Sequence, residues 1–204
     1  MQPKDKQIFE KYFPPIAINY VIDLWQRHQF MFRITKPRHS KLGDYCYNPA
    51  KGHTISVNAN LNVWSFLVTY LHEVAHLIVQ KKYPRKRLNP HGIQWQEEFR
   101  GLLLPTLKDR YFPVNVHNAL QDYYISPTAS TGSHQGLSSA LAQFDVQSDD
   151  YITLDDLSEN EHFELNGRTF IKGIKRRTRV LCLEVASNRQ YVVLAKAKVK
   201  KIGT

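Results

Sequence analysis

Between Asn62 and Lys82, large apolar residues recur three and four positions apart: Val63, Phe66, Leu67, Tyr70, Leu71, Val74, Ala75 and Ile78. This spacing predicts a helix with one wide core-facing stripe. Asn60 or Asn62 can cap its start, and Pro84 lies beyond its end. A second helix is predicted from about Ile93 to Leu104, with Trp95, Phe99, Leu102 and Leu103 inward and Pro105 as its stop. Upstream, Ile16, Tyr20 and Leu24, with Ile18, Val21, Ile22 and Trp25 beside them, give another striped helix. FMFRIT and TISVNANL read as short strands, separated by the turn-rich LGDYCYNPAKGH. This N-terminal block therefore reads as α+β.

The pattern changes after residue 125. From Ser126 to Gln147 the chain is rich in Ser, Thr, Gly and Ala, with few large apolar groups to offset the entropy of ordering. A linker or mobile loop is expected over 126–148. From Asp149 to Glu164 carboxylates alternate with Ile152, Leu154, Leu157 and Phe163, which suits either a strand entering the next unit or a segment laid across a basic surface. The last block holds four short runs of β-formers, and Asn166-Gly167 is a two-residue hairpin signal. A three- or four-stranded meander or small barrel is expected there. The organisation is thus 1–125, an α+β domain; 126–148, a linker; and 149–204, an acidic segment followed by a basic, β-rich unit.

Charge sharpens those boundaries. The 28 Lys+Arg and 18 Asp+Glu give a net charge of +10, distributed as +9 over residues 1–120, −9 over 121–165 and +10 over 166–204. Such an excess favours polyanionic partners without naming one. The N-terminal residues MQPKDKQIFEKYFPP are too polar for a secretory signal, and no stretch is long and apolar enough to span a bilayer, so the cytoplasm is the expected address. Two cysteines, Cys46 and Cys182, exclude both a disulfide scaffold and a structural thiolate zinc site within one chain.

The candidate chemistry sits on the long helix. Tyr70-Leu-His-Glu-Val-Ala-His76 contains HExxH, placing His72 and His76 one turn apart on the same face. Nine histidines and eight glutamates among 204 residues give roughly 0.015 chance occurrences of that motif per chain, so it is read as a site. Two neutral imidazoles can share one Zn²⁺, with Glu73 beside the open coordination position as a proton acceptor. A catalytic zinc needs a third protein ligand. His91, in Asn-Pro-His-Gly, is the first candidate, and Glu97 and Glu98 on the second helix are rivals. The compact His-x₂-Gly-x₂-His continuation of metzincins is absent.

Four features together carry a family resemblance: Leu42-Gly43 ahead of a turn and the strand Thr54–Asn58, the helix with His72-Glu73-Val74-Ala75-His76, the basic loop KKYPRKRLNPHG, and His91-Gly92 followed by Trp95. Over roughly residues 15–125 the chain resembles a SprT-like zinc metalloprotease domain of the bacterial SprT/Spartan-related group. The resemblance implies a zincin-like fold, one zinc ion, His91 as third ligand, Glu73 as general base, and a protein or peptide substrate. Many SprT-like proteins end in a cysteine zinc ribbon. Cys182 stands alone here, so a small all-β C-terminal unit without structural zinc is expected.

The basic tail supplies the second functional expectation. Lys172, Lys175, Arg176, Arg177 and Arg179 are candidate phosphate contacts, with Phe170 and Tyr191 able to stack on unpaired bases. Spartan-related proteases cleave proteins attached to DNA, so the resemblance points the same way. The competing readings are a nucleic-acid-binding module with a vestigial HExxH and a general peptidase whose charge recruits acidic substrates. A further expectation is that residues 149–164 lie on a basic surface and hold the enzyme inactive until a polyanion displaces them.

Overall fold

The chain begins with a helix that its apolar pattern does not announce, α1 (Pro3–Tyr12). Most of its side chains are polar, but Phe9, with Phe13 just past its end, is buried against Trp25, Phe32, Phe66 and Tyr70. A short 3-10 turn at Pro15–Ala17 leads into α2 (Ile18–His28), which buries Val21 and Leu24. In the computed structural model, residues 3–38, 40–84, 86–125, 127, 134–145 and 151–202 are described. They fall into two compact units, Met1–Asp145 and Val146–Thr204.

In the first unit β1 (Met31–Thr35), β2 (Gly43–Asn48) and β3 (Gly52–Asn58) form a sheet in the order β1-β3-β2. β1 runs parallel to β3 and β2 antiparallel. The segment expected to be turn-rich thus supplies strand β2, and its Asn48-Pro-Ala-Lys sequence makes the hairpin into β3. Helix α3 (Val63–Lys82) packs on this sheet and is buried almost all round, from Phe66 through Ile78. Asn62 is its cap: the side-chain oxygen accepts from the backbone N–H groups of Trp64 and Ser65 at 3.1 and 2.9 Å. Lys81 and Lys82 favour its C-terminal end through the helix dipole.

Helix α4 (Ile93–Lys108) does not stop at Pro105 but runs through it. Proline removes one backbone donor, yet Leu102, Leu103, Thr106 and Leu107 all bury themselves on the core, and the Thr106 hydroxyl donates to the Leu103 carbonyl at 2.7 Å. Burial of a Leu side chain contributes about 1.5–3 kcal/mol, so Leu107, with buried Thr106 beside it, offsets much of the roughly 3 kcal/mol of a helix-interior proline. α5 (Val114–Ile125) and α6 (Gln135–Ala142) follow. Part of the expected linker is thus a packed helix: Leu137, Ala140 and Leu141 of α6 enter the core of the first unit, because this small-residue helix still presents a leucine stripe. Residues 126, 128–133 and 146–148 lie outside the described part.

The second unit is a six-stranded sheet, β4 (Tyr151–Thr153), β5 (His162–Leu165), β6 (Arg168–Arg176), β7 (Arg179–Glu184), β8 (Gln190–Leu194) and β9 (Lys198–Lys201), in the order β4-β9-β5-β6-β7-β8. All its pairs are antiparallel. The Asn166-Gly167 hairpin forms as expected, both residues having positive φ. The sheet exceeds the expected three or four strands because the acidic stretch supplies β4 and β5. Leu154, Leu157 and Phe163 join the core of this unit, and Asp155 and Glu161 pair with Lys175 and Lys201, each at 2.7 Å. Residues 151–164 are thus built into the sheet and core of this unit, with their acids laid against its lysines. Among the described residues, no helix is long and apolar enough to cross a membrane.

Candidate metal centre

Helix α3 turns Thr69, His72, Glu73 and His76 toward a cleft of about 450 Å³, whose opposite wall is Ser40–Tyr45 and whose end is Pro90-His91. His91 reaches it from the turn before α4, closed by the Gly92 N–H donating to the Asn89 carbonyl at 3.0 Å. The three imidazoles converge: Nε2 of His72 lies 3.1 Å from that of His91 and 3.2 Å from that of His76, and the His76–His91 distance is 3.0 Å. Three histidines separated by up to 19 positions therefore offer one shared coordination point.

The donor set fits a cation. The Nε2 of a neutral imidazole is either a donor or an acceptor, so among three mutually adjacent nitrogens two must present the same end to each other. An ion accepting all three lone pairs removes that repulsion. A tetrahedral ion with bonds of about 2.0–2.1 Å to nitrogen would hold its ligands roughly 3.3 Å apart, close to the spacing here. The ligands are also ready for it. Burial, reinforced by the neighbouring imidazoles, pushes His72 down to about 3 and His76 down to about 4, and burial lowers His91. Trp95 of α4 forms the wall behind them, its ring centroid 4.6, 5.5 and 4.8 Å from those of His72, His76 and His91.

Glu73 is buried in the same cleft. Burial, with Asp44 adding to it, pushes its carboxyl up to about 8, against the opposing effects of a hydrogen bond from the Tyr45 backbone N–H and of Arg38 and Lys41. A dication beside it would favour the ionised form again. Strand β2 can come this close because residue 43 is glycine: a Cβ there would sit 2.6 Å from Glu73 Oε1 and 2.7 Å from Thr69 Cγ2. The connection leading into β2 is fixed by buried Asn58, whose amide donates to the carbonyls of Arg38 and Lys41 at 3.2 and 2.9 Å and whose oxygen accepts from Arg38 Nε at 2.8 Å. The sequence did not single out Tyr45, and Gly43 and Asn58 entered it only among the features of the family resemblance, since each acts through the fold and not as a reacting group.

The rival ligands lie elsewhere. Glu98 pairs with Lys82 at 2.6 Å and Glu97 is exposed. Neither belongs to the histidine group.

The depressed histidines set an acid limit for the metal-free protein. In the unfolded chain they titrate near 6.5, so below that pH the unfolded state binds more protons and stability present above 6.5 is lost as the pH falls toward about 4 and 3. The melting temperature of chelator-treated protein is expected to drop steeply from pH 6.5 to 4.5, and less so in His72→Phe. A flat profile in the unmodified chain would contradict the burial of these rings.

The residues expected to touch nucleic acid separate into two groups. Arg176, Arg177 and Arg179 are exposed around the β6–β7 turn. Lys172 is only 6% exposed and donates to the carbonyls of Asp155 and Leu157, and Lys175 is paired with Asp155. This corrects Lys172 from a phosphate contact to an internal strut, placed inside by the alternation of β6. Phe170 is likewise buried, stacked on Phe163, and one face of the Tyr191 ring carries the Arg168 guanidinium at 4.5 Å.

No family model matches the chain, no curated protein matches it, and no solved structure matches its fold.

Proposed function

We propose that the chain is a zinc-dependent peptidase whose first unit is a zincin-like, SprT-related domain, with His72, His76 and His91 holding one zinc ion and Glu73 serving as general base. The observation that carries this reading is the common meeting point of three imidazole Nε2 atoms, 3.0–3.2 Å apart, in the cleft that also holds a buried carboxyl group. Three histidines leave a fourth position open, which is the ligand number of catalytic rather than structural zinc. When bound, zinc supplies the positive charge that brings the pKa of water toward about 7 and polarises a carbonyl.

The remaining work falls to the chain's own groups. Glu73, ionised by the neighbouring charge, takes a proton from the attacking water and hands it to the departing amine. The Tyr45 N–H holds the carboxylate in place while this happens. β2 is an edge strand of its sheet, and Gly43–Tyr45 line the cleft, so an extended peptide has backbone groups to pair with beside the histidines. A nucleic-acid partner has narrower support: Arg176, Arg177 and Arg179, together with the family resemblance.

Cleavage of an unfolded protein substrate tests the proposal. Zinc-loaded protein is expected to cut it, chelation to stop the reaction, and added zinc to restore it. A zinc-loaded chain that leaves such substrates and a panel of extended peptides intact would contradict it.

A further inference from the structure

The order of the second sheet leaves β8 at an edge. Natural sheets blunt such edges with charge, proline or a bulge. The strand Gln190-Tyr-Val-Val-Leu194 contains none of these, and its outward residues Val192 and Leu194 are 60% and 58% exposed. Val192 stands opposite Leu181 of β7, and Leu183 stands between Ile171 of β6 and Gln190. Alternation therefore gathers Ile171, Leu181, Leu183, Val192 and Leu194 on one face, while Phe170, Val180 and Cys182 enter the core from the other. An apolar face that ends at a strand with no second neighbour among the described residues suits the addition of an extended segment, which gains main-chain hydrogen bonds along the edge and side-chain contacts on the face.

Charge selects the occupant. Arg189 precedes β8, Lys196 follows it, and Arg179 stands opposite Leu194. Residues 166–204 hold 11 Lys+Arg and a single acid, Glu184, which is already paired with Arg168. A second copy laid antiparallel on β8 would bring Arg189 of each chain toward Lys196 of the other, so self-pairing is disfavoured. A single-stranded nucleic acid would meet the arginines but find Phe170 buried and one face of Tyr191 taken by Arg168. We propose that β8 receives an extended segment of another protein as a seventh strand, with apolar residues at alternate positions and Asp or Glu at its ends. The inference rests on the second unit alone and is independent of the metal site.

Ten-residue synthetic peptides with alternating Val or Ile and Thr test this, capped with Glu-Asp pairs in one set and with Lys pairs in the other. Fluorescence anisotropy with the full chain is expected to show at least tenfold tighter binding of the acid-capped set, weakening as salt is raised. Hydrogen exchange is expected to slow at the amides of β8. Val192→Lys, at an exposed position, should reduce binding at least tenfold with an unchanged melting temperature, and N-methylation of alternate peptide amides should do the same. Arg179→Glu supplies an independent variant should Val192→Lys unfold the unit. The proposal is overturned if no acid-capped peptide binds or if the lysine-capped set binds equally. Concentration-dependent dimers with β8 protected, or an oligonucleotide bound through Arg176, Arg177 and Arg179 with no peptide affinity, would overturn it as well.

Discussion

Glu73→Gln is expected to lower the rate of peptide hydrolysis by about 10²- to 10⁴-fold, the usual contribution of a general base, with zinc still bound. The substitution keeps the volume of the side chain and an oxygen to accept from the Tyr45 N–H, so the cleft should hold its shape. It also removes a carboxyl group whose ionisation burial opposes, so the metal-free variant should melt no lower than the unmodified protein. Single-turnover rates alongside zinc content separate the two effects. Undiminished hydrolysis would remove Glu73 from the reaction.

Gly43→Ala is expected to come close to this loss without touching any reacting group. The new methyl would lie 2.6 Å from Glu73 Oε1, 2.7 Å from Thr69 Cγ2 and 2.8 Å from Glu73 Cγ. Contacts under 3 Å force either the carboxylate or strand β2 to move, and displacement by about 1 Å can lower a rate on the order of 10²-fold. Zinc content should hardly change, since the atoms nearest the new methyl belong to Glu73 and Thr69 and not to an imidazole. The measurement is kcat with bound zinc, against the pH profile: a displaced base alters the acidic limb, whereas a merely unstable protein loses active fraction uniformly. Normal kcat in this variant would show that the close approach of β2 does not position Glu73.

How far the sequence reveals this molecule depends on the range of the interactions involved. Helix α3 and its HExxH were legible because cap, stripe and ligand spacing all lie within 20 residues. The choice of His91 over Glu97 and Glu98 is a matter of direction in space. In sequence it rested on a Pro-His-Gly turn and a family resemblance, while the structure turns Glu98 toward Lys82. β2 was hidden because Gly, Asp, Asn and Pro around Tyr45 and Tyr47 read as turn, although the pairing with β3 stabilises a strand there. α6 was hidden by its serines and alanines, whose helix forms on a core that only the folded chain supplies. Lys172 shows the same limit for charge: a lysine in a basic run looks solvated, yet strand alternation put it inside with two carbonyls as partners.

Metal content tests the shared site most directly. Purified chain, dialysed against trace zinc and analysed by elemental emission, is predicted to retain one zinc per molecule, and His91→Ala, folded by circular dichroism, to retain little or none. Full zinc retention by His91→Ala, or no retained zinc in the unmodified chain, would contradict the convergence of His72, His76 and His91 on a single ion.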